Sequence, residues 1–220
     1  IFAPLLGDAL VSAISWRAAF ALMLVFGAAL IAISLAGLKE TNQNPDPRAL
    51  EPRRLWASIK RVWRHPQSRF FLVVASLIYF GILSYITNAP RLFKSEFGIE
   101  GAAFAILFSL TGLGLVTTQI ANNRLLQRYG ALRTTRGAAV LLAASATAVA
   151  GLAVTSHLDW LSFTLLILCF NSVFLIVFAN SASLVIDPHK EIAGLASSIF
   201  GASTQLFGSL MMLVTLPLFK

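Results

Sequence analysis

From residue 160 to residue 186 the chain reads WLSFTLLILCFNSVFLIVFANSASLVI, without one charged side chain. A helix rising about 1.5 Å per residue needs about 20 apolar residues to cross a bilayer's hydrocarbon core. This run suffices, with a surplus that tilt or extension past the bilayer absorbs. Similar runs recur to either side, at residues 1–14 (interrupted by Asp8), 18–38, 70–90, 102–122, 137–156 and 192–219. None alternates with the period of two that a membrane barrel requires. About seven transmembrane helices, an all-α membrane bundle, are therefore expected.

Composition agrees. Apolar residues make up 57% of the chain and charged residues 12%, with a mean hydropathy of +0.79, against about 25% charged residues in an ordinary soluble domain. The net charge of +8 comes from Lys and Arg in the connections between apolar runs, which points to membrane topology and away from nucleic acid. The single cysteine, Cys169, excludes a disulfide framework or a cysteine metal site. The chain opens at Ile1 inside an apolar stretch, so a fragment of a longer protein is expected.

Basic residues are retained on the cytoplasmic side of short loops. The connections after the second, fourth and sixth runs hold thirteen of the 17 Lys and Arg; those after the first, third and fifth hold only Arg17, Arg91 and Lys94. The basic connections are thus expected in the cytoplasm of a multi-pass inner (plasma) membrane protein. The one long connection, 39–69, begins as a proline-broken polar linker, Glu40 to Pro47. Its second half places Leu55, Trp56, Ile59, Val62 and Trp63 on one helical face, as in a helix resting in the headgroup layer.

Several segments carry a family resemblance. Ala3-Pro4-Leu5-Leu6-Gly7-Asp8, followed by Ser15-Trp16-Arg17-Ala18-Ala19-Phe20, resembles the antiporter signature of the fifth helix of the major facilitator superfamily and the start of the sixth. Asn88-Ala89-Pro90 with Phe97-Gly98, Asn123 to Gly130, Asn180 to Leu184 and Ala193 to Ser198 follow in matching order. Within the superfamily the chain is similar to drug:proton antiporters of the bicyclomycin/chloramphenicol (Bcr/CflA) type, over helices five to eleven of twelve. The resemblance implies three parts: the end of an N-terminal six-helix half (1–38), a cytoplasmic central loop with an interfacial helix (39–69) and the C-terminal half (70–220). It also implies export of small organic molecules driven by proton entry, with no cofactor other than the proton. The lipid bilayer and the remainder of the same transporter are the implied partners. Two departures stand out: Asp8 replaces a second glycine of the antiporter pattern, and Gln127 stands where the loop motif often has aspartate.

Pro4 and Gly7 can form a tight, bent helix contact, either a seal against proton leak or ordinary close packing. Asp8 is flanked by apolar sequence, so a proton-linked role and a place near the outer water, paired with Arg17, are both open. Arg124, Arg128 and Arg133, with Arg136, surround a short turn at Gly130 and set topology, with gating as a further role. Polar and aromatic groups inside spans are expected to face other helices or water. Tyr79, Tyr85, Asn88, Asn171, Phe174, Phe178, Asn180 and Gln205 are the resulting candidates for a substrate cavity. Of these, Asn171, Phe174 and Phe178 share one helical face. With no strong charge in these spans, amphiphilic small molecules are favoured over highly charged ones; a specific metabolite and an inactive truncated protein are the alternatives. His65, His157 and His189 are scattered in connections, and no phosphate loop or metal motif occurs, so an enzyme is not expected.

Overall fold

In hydrocarbon no water is available to a backbone N–H or C=O, so a single spanning segment can satisfy itself only as a helix. The computed structural model describes residues 3–37, 51–155 and 157–215, and the elements there are helical throughout. They are α1 (Ala3–Ala13), α2 (Trp16–Gly37), α3 (Pro52–Arg64), α4 (Pro66–Phe97), α5 (Gly101–Val154), α6 (Trp160–Ile186), a 3-10 turn (Asp187–Ile192) and α7 (Ala193–Thr215). The expected linker from Glu40 to Pro47, the ends at residues 1, 156 and 216–219, and Lys220 lie outside the described residues.

Four helical runs are long and apolar enough to cross a membrane: Trp16–Gly37, Pro66–Phe97, Gly101–Val154 and Trp160–Thr215. The last two each fold back. Within α5, Gly130 adopts φ 75° and ψ 164°, a conformation open in practice only to glycine. Phe104, Leu107 and Phe108 before it share one apolar cluster with Val149 after it, and Leu115 shares another with Ala138 and Leu142. The chain therefore reverses at Gly130, where a short turn was expected, between two helical arms, 101–129 and 131–154. The 3-10 turn reverses the chain again between α6 and α7.

The apolar run expected from residue 70 to Pro90 lies inside a longer helix: α4 starts at Pro66, carries Pro90 inside and continues to Phe97. Proline removes one backbone donor, yet packed membrane helices tolerate that loss. The true stop is Gly98, at φ 65°. Its N–H donates to the Lys94 carbonyl while that of Ile99 donates to Phe93, closing the last turn. A Lys94–Glu100 ion pair at 2.7 Å spans the corner to α5 and holds the exposed Glu100 carboxyl below its ordinary range. The start of α6 is fixed by Asp159, whose Oδ1 accepts the Ser162 N–H at 3.2 Å while the Ser162 hydroxyl accepts the Asp159 N–H at 3.3 Å.

Helix α6 is central to the bundle. The 101–129 arm runs parallel to it, since Asn171 meets Thr111 and Asn180 meets Asn122. Helix α4 runs antiparallel, with Ser68 at Val185 and Phe93 against Phe163. Close approach depends on two glycines. A Cβ on Gly114 would stand 2.9 Å from the Leu168 carbonyl oxygen and closer still to Ser172 Oγ; one on Gly208 would stand 2.6 Å from the Tyr79 ring. α7 thus lies beside α4. By contrast α2 has no buried residue, and α1 touches mainly α2 and α5.

The amphipathic face read in the connecting helix divides. Val62 is fully buried and, with Ile59, packs against Phe71, Val185 and Ile199, whereas Trp56 is 68% exposed. So α3 docks on the bundle with one part of its apolar face and offers the tryptophan part to its surroundings.

Gly114→Ala should lower stability by about 1–3 kcal/mol, because the backbone carbonyl it meets cannot step aside. Gly130→Ala should cost a similar amount, roughly 1–3 kcal/mol, through its φ and ψ. Gly201→Ala, where a Cβ meets nothing within 4 Å, should be neutral or slightly stabilising. Thermal unfolding of the purified variants in detergent checks this ordering.

Candidate functional site

A cavity of about 360 Å³ opens between α4, the 101–129 arm and α6. Five of the candidates named from sequence line it together: Tyr79 and Tyr85 from α4, and Asn171, Phe174 and Phe178 from α6. The i, i+3, i+7 spacing of the last three does put them on one face. Phe108, Thr111 and Ile82, which the sequence reading did not single out, complete the wall. They were hidden because an aromatic or a small hydroxyl in an apolar span looks the same whether it packs or lines a cavity. No charged residue is among those lining it.

The aromatic rings form two groups. Phe174 and Phe178 stack with centroids 5.5 Å apart, and Tyr79 joins Phe178 at 5.8 Å. Across the cavity Tyr85 stacks on Phe108 at 5.6 Å. The Thr111 hydroxyl donates to the Phe108 carbonyl at 2.7 Å, so the Tyr85 hydroxyl, 3.2 Å away, donates to Thr111. Both hydroxyls thus spend their hydrogens on the protein. Asn171, only 3% exposed, donates through Nδ2 to the Thr111 carbonyl at 3.4 Å, while its Oδ1 has no hydrogen-bond partner. The cavity therefore offers flat apolar surfaces and π faces that attract cations, with the Asn171 amide oxygen, without a donor, buried in its wall.

Other candidates lie elsewhere. Asn180 exchanges a reciprocal pair of amide hydrogen bonds with Asn122, 3.1 Å each way, and both are buried. Asn88 donates to the Ser84 carbonyl one turn back at 2.9 Å, just ahead of Pro90. Gln205 is exposed on α7. These three do not line the cavity; Asn180 locks two helices and Asn88 bonds within its own helix.

A second cleft, of about 490 Å³, lies where α1 meets α4 and α5, with Gly7, Asp8 and Val11 facing Ile86, Pro90 and Phe104. A Cβ on Gly7 would meet nothing within 4 Å, so the tight contact expected there is not made among the described residues. Pro4 lies in the first turn of α1. The Arg17 guanidinium rests 4.6 Å above the Trp16 ring, itself edge-on to Phe20. At the Gly130 turn Arg124, Arg128 and Arg133 are all exposed, with Arg128 placed against the Tyr129 ring at 5.3 Å. Among the described residues no group of His, Cys, Asp and Glu could hold a metal.

Residues 1–212 match the family model of the Major Facilitator Superfamily. An uncharacterized MFS-type transporter, YdgK of Bacillus subtilis (strain 168), is 24% identical over 216 residues, covering 94% of this chain and 52% of that protein. The multidrug resistance protein MdtL of Escherichia coli O45:K1 (strain S88 / ExPEC) is 30% identical over 114 residues, 50% of this chain and 27% of MdtL. The chain thus spans about half the length of the first and about a quarter of the second. No solved structure matches it significantly.

The Asn122–Asn180 pair has a measurable signature. Asn122→Ala should destabilise by about 1–3 kcal/mol, because it strands the Asn180 amide in a dry interface. Replacing both by alanine should cost less than the sum of the single changes, with a coupling of roughly 0.6–1.7 kcal/mol. A double-mutant cycle from equilibrium unfolding in mixed micelles reads it out.

Proposed function

Since the chain belongs to the Major Facilitator Superfamily, whose members are transporters and not enzymes, we propose that it is part of a proton-coupled exporter of small amphiphilic organic molecules. The observation that carries this reading is the cavity between α4, α5 and α6: aromatic on two sides, uncharged, and of a size suited to a drug-like molecule. The partial likeness to a multidrug resistance protein supports it, as does the likeness of the α1–α2 segment to the superfamily's antiporter signature.

The division of labour we propose is as follows. Residues 70–220 are the C-terminal half, 1–38 the end of the N-terminal half and 39–69 the cytoplasmic connection. Tyr79, Tyr85, Phe174 and Phe178 hold the substrate by dispersion and π contact, and the Asn171 oxygen takes a hydrogen bond from it. The facing wall comes from the rest of the transporter, and the two halves rock about the cavity in an inner membrane. Asp8, beside the interface of α1 with α4 and α5, is the acid within the described spans best placed to carry a proton, and Arg124, Arg128 and Arg133 act at the cytoplasmic mouth. A carrier of one specific metabolite is the competing reading; the breadth of the aromatic lining favours a broad substrate range.

The complete reading frame, expressed in a drug-sensitive bacterial strain, should raise the inhibitory concentration of several planar aromatic compounds. Phe174→Ala and Asn171→Leu should each change which compounds are exported while protein levels hold. Growth unchanged across the panel, together with uptake of a single metabolite, would refute export. Asp8→Asn should flatten the pH dependence of export; an unaltered profile removes Asp8 from the coupling scheme. Reporters fused within residues 42–52 and after Tyr129 should read cytoplasmic and one at Glu96 periplasmic, with the opposite pattern at two of them overturning the orientation.

A further inference from the structure

The basic end of the bundle holds a cleft of about 560 Å³, separate from the aromatic cavity. Lys60, Arg61 and Arg64 of α3 face it on one side; His65 closes the corner with α4, and Pro188 and His189 of the 3-10 turn form the other wall. No acid lines it. Arg61 is tethered across the gap by an ion pair with Glu191, which fixes α3 to the turn, while Lys60 and Arg64 are exposed. Because Val62 is buried beneath them, these cations sit on a docked helix, and little ordering is lost when an anion arrives.

His189 forms the base of the cleft. It is 2% exposed, its Nε2 lies 3.1 Å from the Ser68 hydroxyl, and its Nδ1 has no hydrogen-bond partner. Ser68 gives its hydrogen to the Val185 carbonyl, so His189 Nε2 carries the ring proton and donates it to the Ser68 oxygen, which holds the imidazole in place at the base of the cleft. Burial, with His65 and Arg61 close by, holds His189 below its ordinary range against the opposing Glu191. Lys60, Arg61 and Arg64 make the lining of the cleft electropositive, as an anion site requires.

We propose that this cleft binds the phosphate of an anionic phospholipid headgroup, with Lys60 and Arg64 as its charge partners. Position selects a lipid over a soluble phosphate. α3 ends at Arg64 and the membrane helix α4 begins at Pro66, so the cleft lies where a spanning helix leaves the bilayer. The exposed Trp56 and Trp63 of α3 suit the headgroup layer.

The test is lipid retention by native mass spectrometry on the purified chain, titrated with phosphatidylglycerol, phosphatidylcholine or inorganic phosphate. Phosphatidylglycerol should form a discrete one-to-one adduct, and Lys60→Gln/Arg64→Gln should weaken it roughly 10–30-fold, as expected for two lost headgroup charges. Arg53→Gln/Arg124→Gln removes the same charge outside the cleft and should leave the adduct within about twofold. Equal retention of phosphatidylcholine, equal loss in the two double variants, or displacement of the lipid by inorganic phosphate would each overturn the assignment. The readout is binding, so it stands or falls independently of any transport activity.

Discussion

Hydrocarbon offers no hydrogen bonds, and a polar group carried into it is costly unless it finds a partner on the protein. Helix α6 carries several such groups. Asn171 reaches the Thr111 carbonyl, Asn180 locks onto Asn122, and Ser172 donates to the Leu168 carbonyl, beside which Gly114 packs. These contacts recur at a nearly constant offset along two parallel helices, so they fix one register between α6 and the 101–129 arm. A slip by one residue would rotate the asparagines away from their partners and press a side chain against the Leu168 carbonyl. The other contacts of the bundle are built around that pairing.

The cavity is a consequence of it. With α6 in this register, Phe174 and Phe178 face the space that Tyr85 and Phe108 border from the other side. Tyr85 and Thr111 satisfy each other, which removes their hydrogens from the cavity, and leaves Asn171 Oδ1 as the acceptor without a donor. A site with broad apolar faces and one directional group tolerates many shapes and discriminates weakly among them.

The two ends of the bundle are finished differently. At the basic end the last carbonyls of α6 lack helical donors, and α4 supplies them: Gln67 donates to Leu184 at 2.8 Å and Ser68 to Val185 at 3.2 Å. The same Ser68 touches His65 and His189, so capping α6 also assembles the pair of imidazoles beneath the α3 cations. At the opposite end the aromatic rings of Phe93, Phe97, Phe104 and Phe163 fill the space between α4, α5 and α6. Between the helices, one end is thus held by polar groups and the other by aromatic rings.

Hydropathy and charge placement by themselves determined the helical class, the positions of the spans and which connections are basic, because insertion into a bilayer depends on one-dimensional runs of residues. The extent of α6 from Trp160 to Ile186 was legible for that reason, as was the face shared by Asn171, Phe174 and Phe178. The turn at Gly130 was legible too, whereas the full length of α4 was not: the apolar run stops before Arg91, but the helix continues through the charged residues to Phe97. Nor could the run of residues separate Asn171, which borders the cavity, from Asn180, which pairs with Asn122, since both are amides in an apolar span. Only tertiary packing decided that, together with the cluster of His65, Ser68 and His189 from two distant connections, because a polar group's partner is set by helix register and neighbour, which no local pattern encodes.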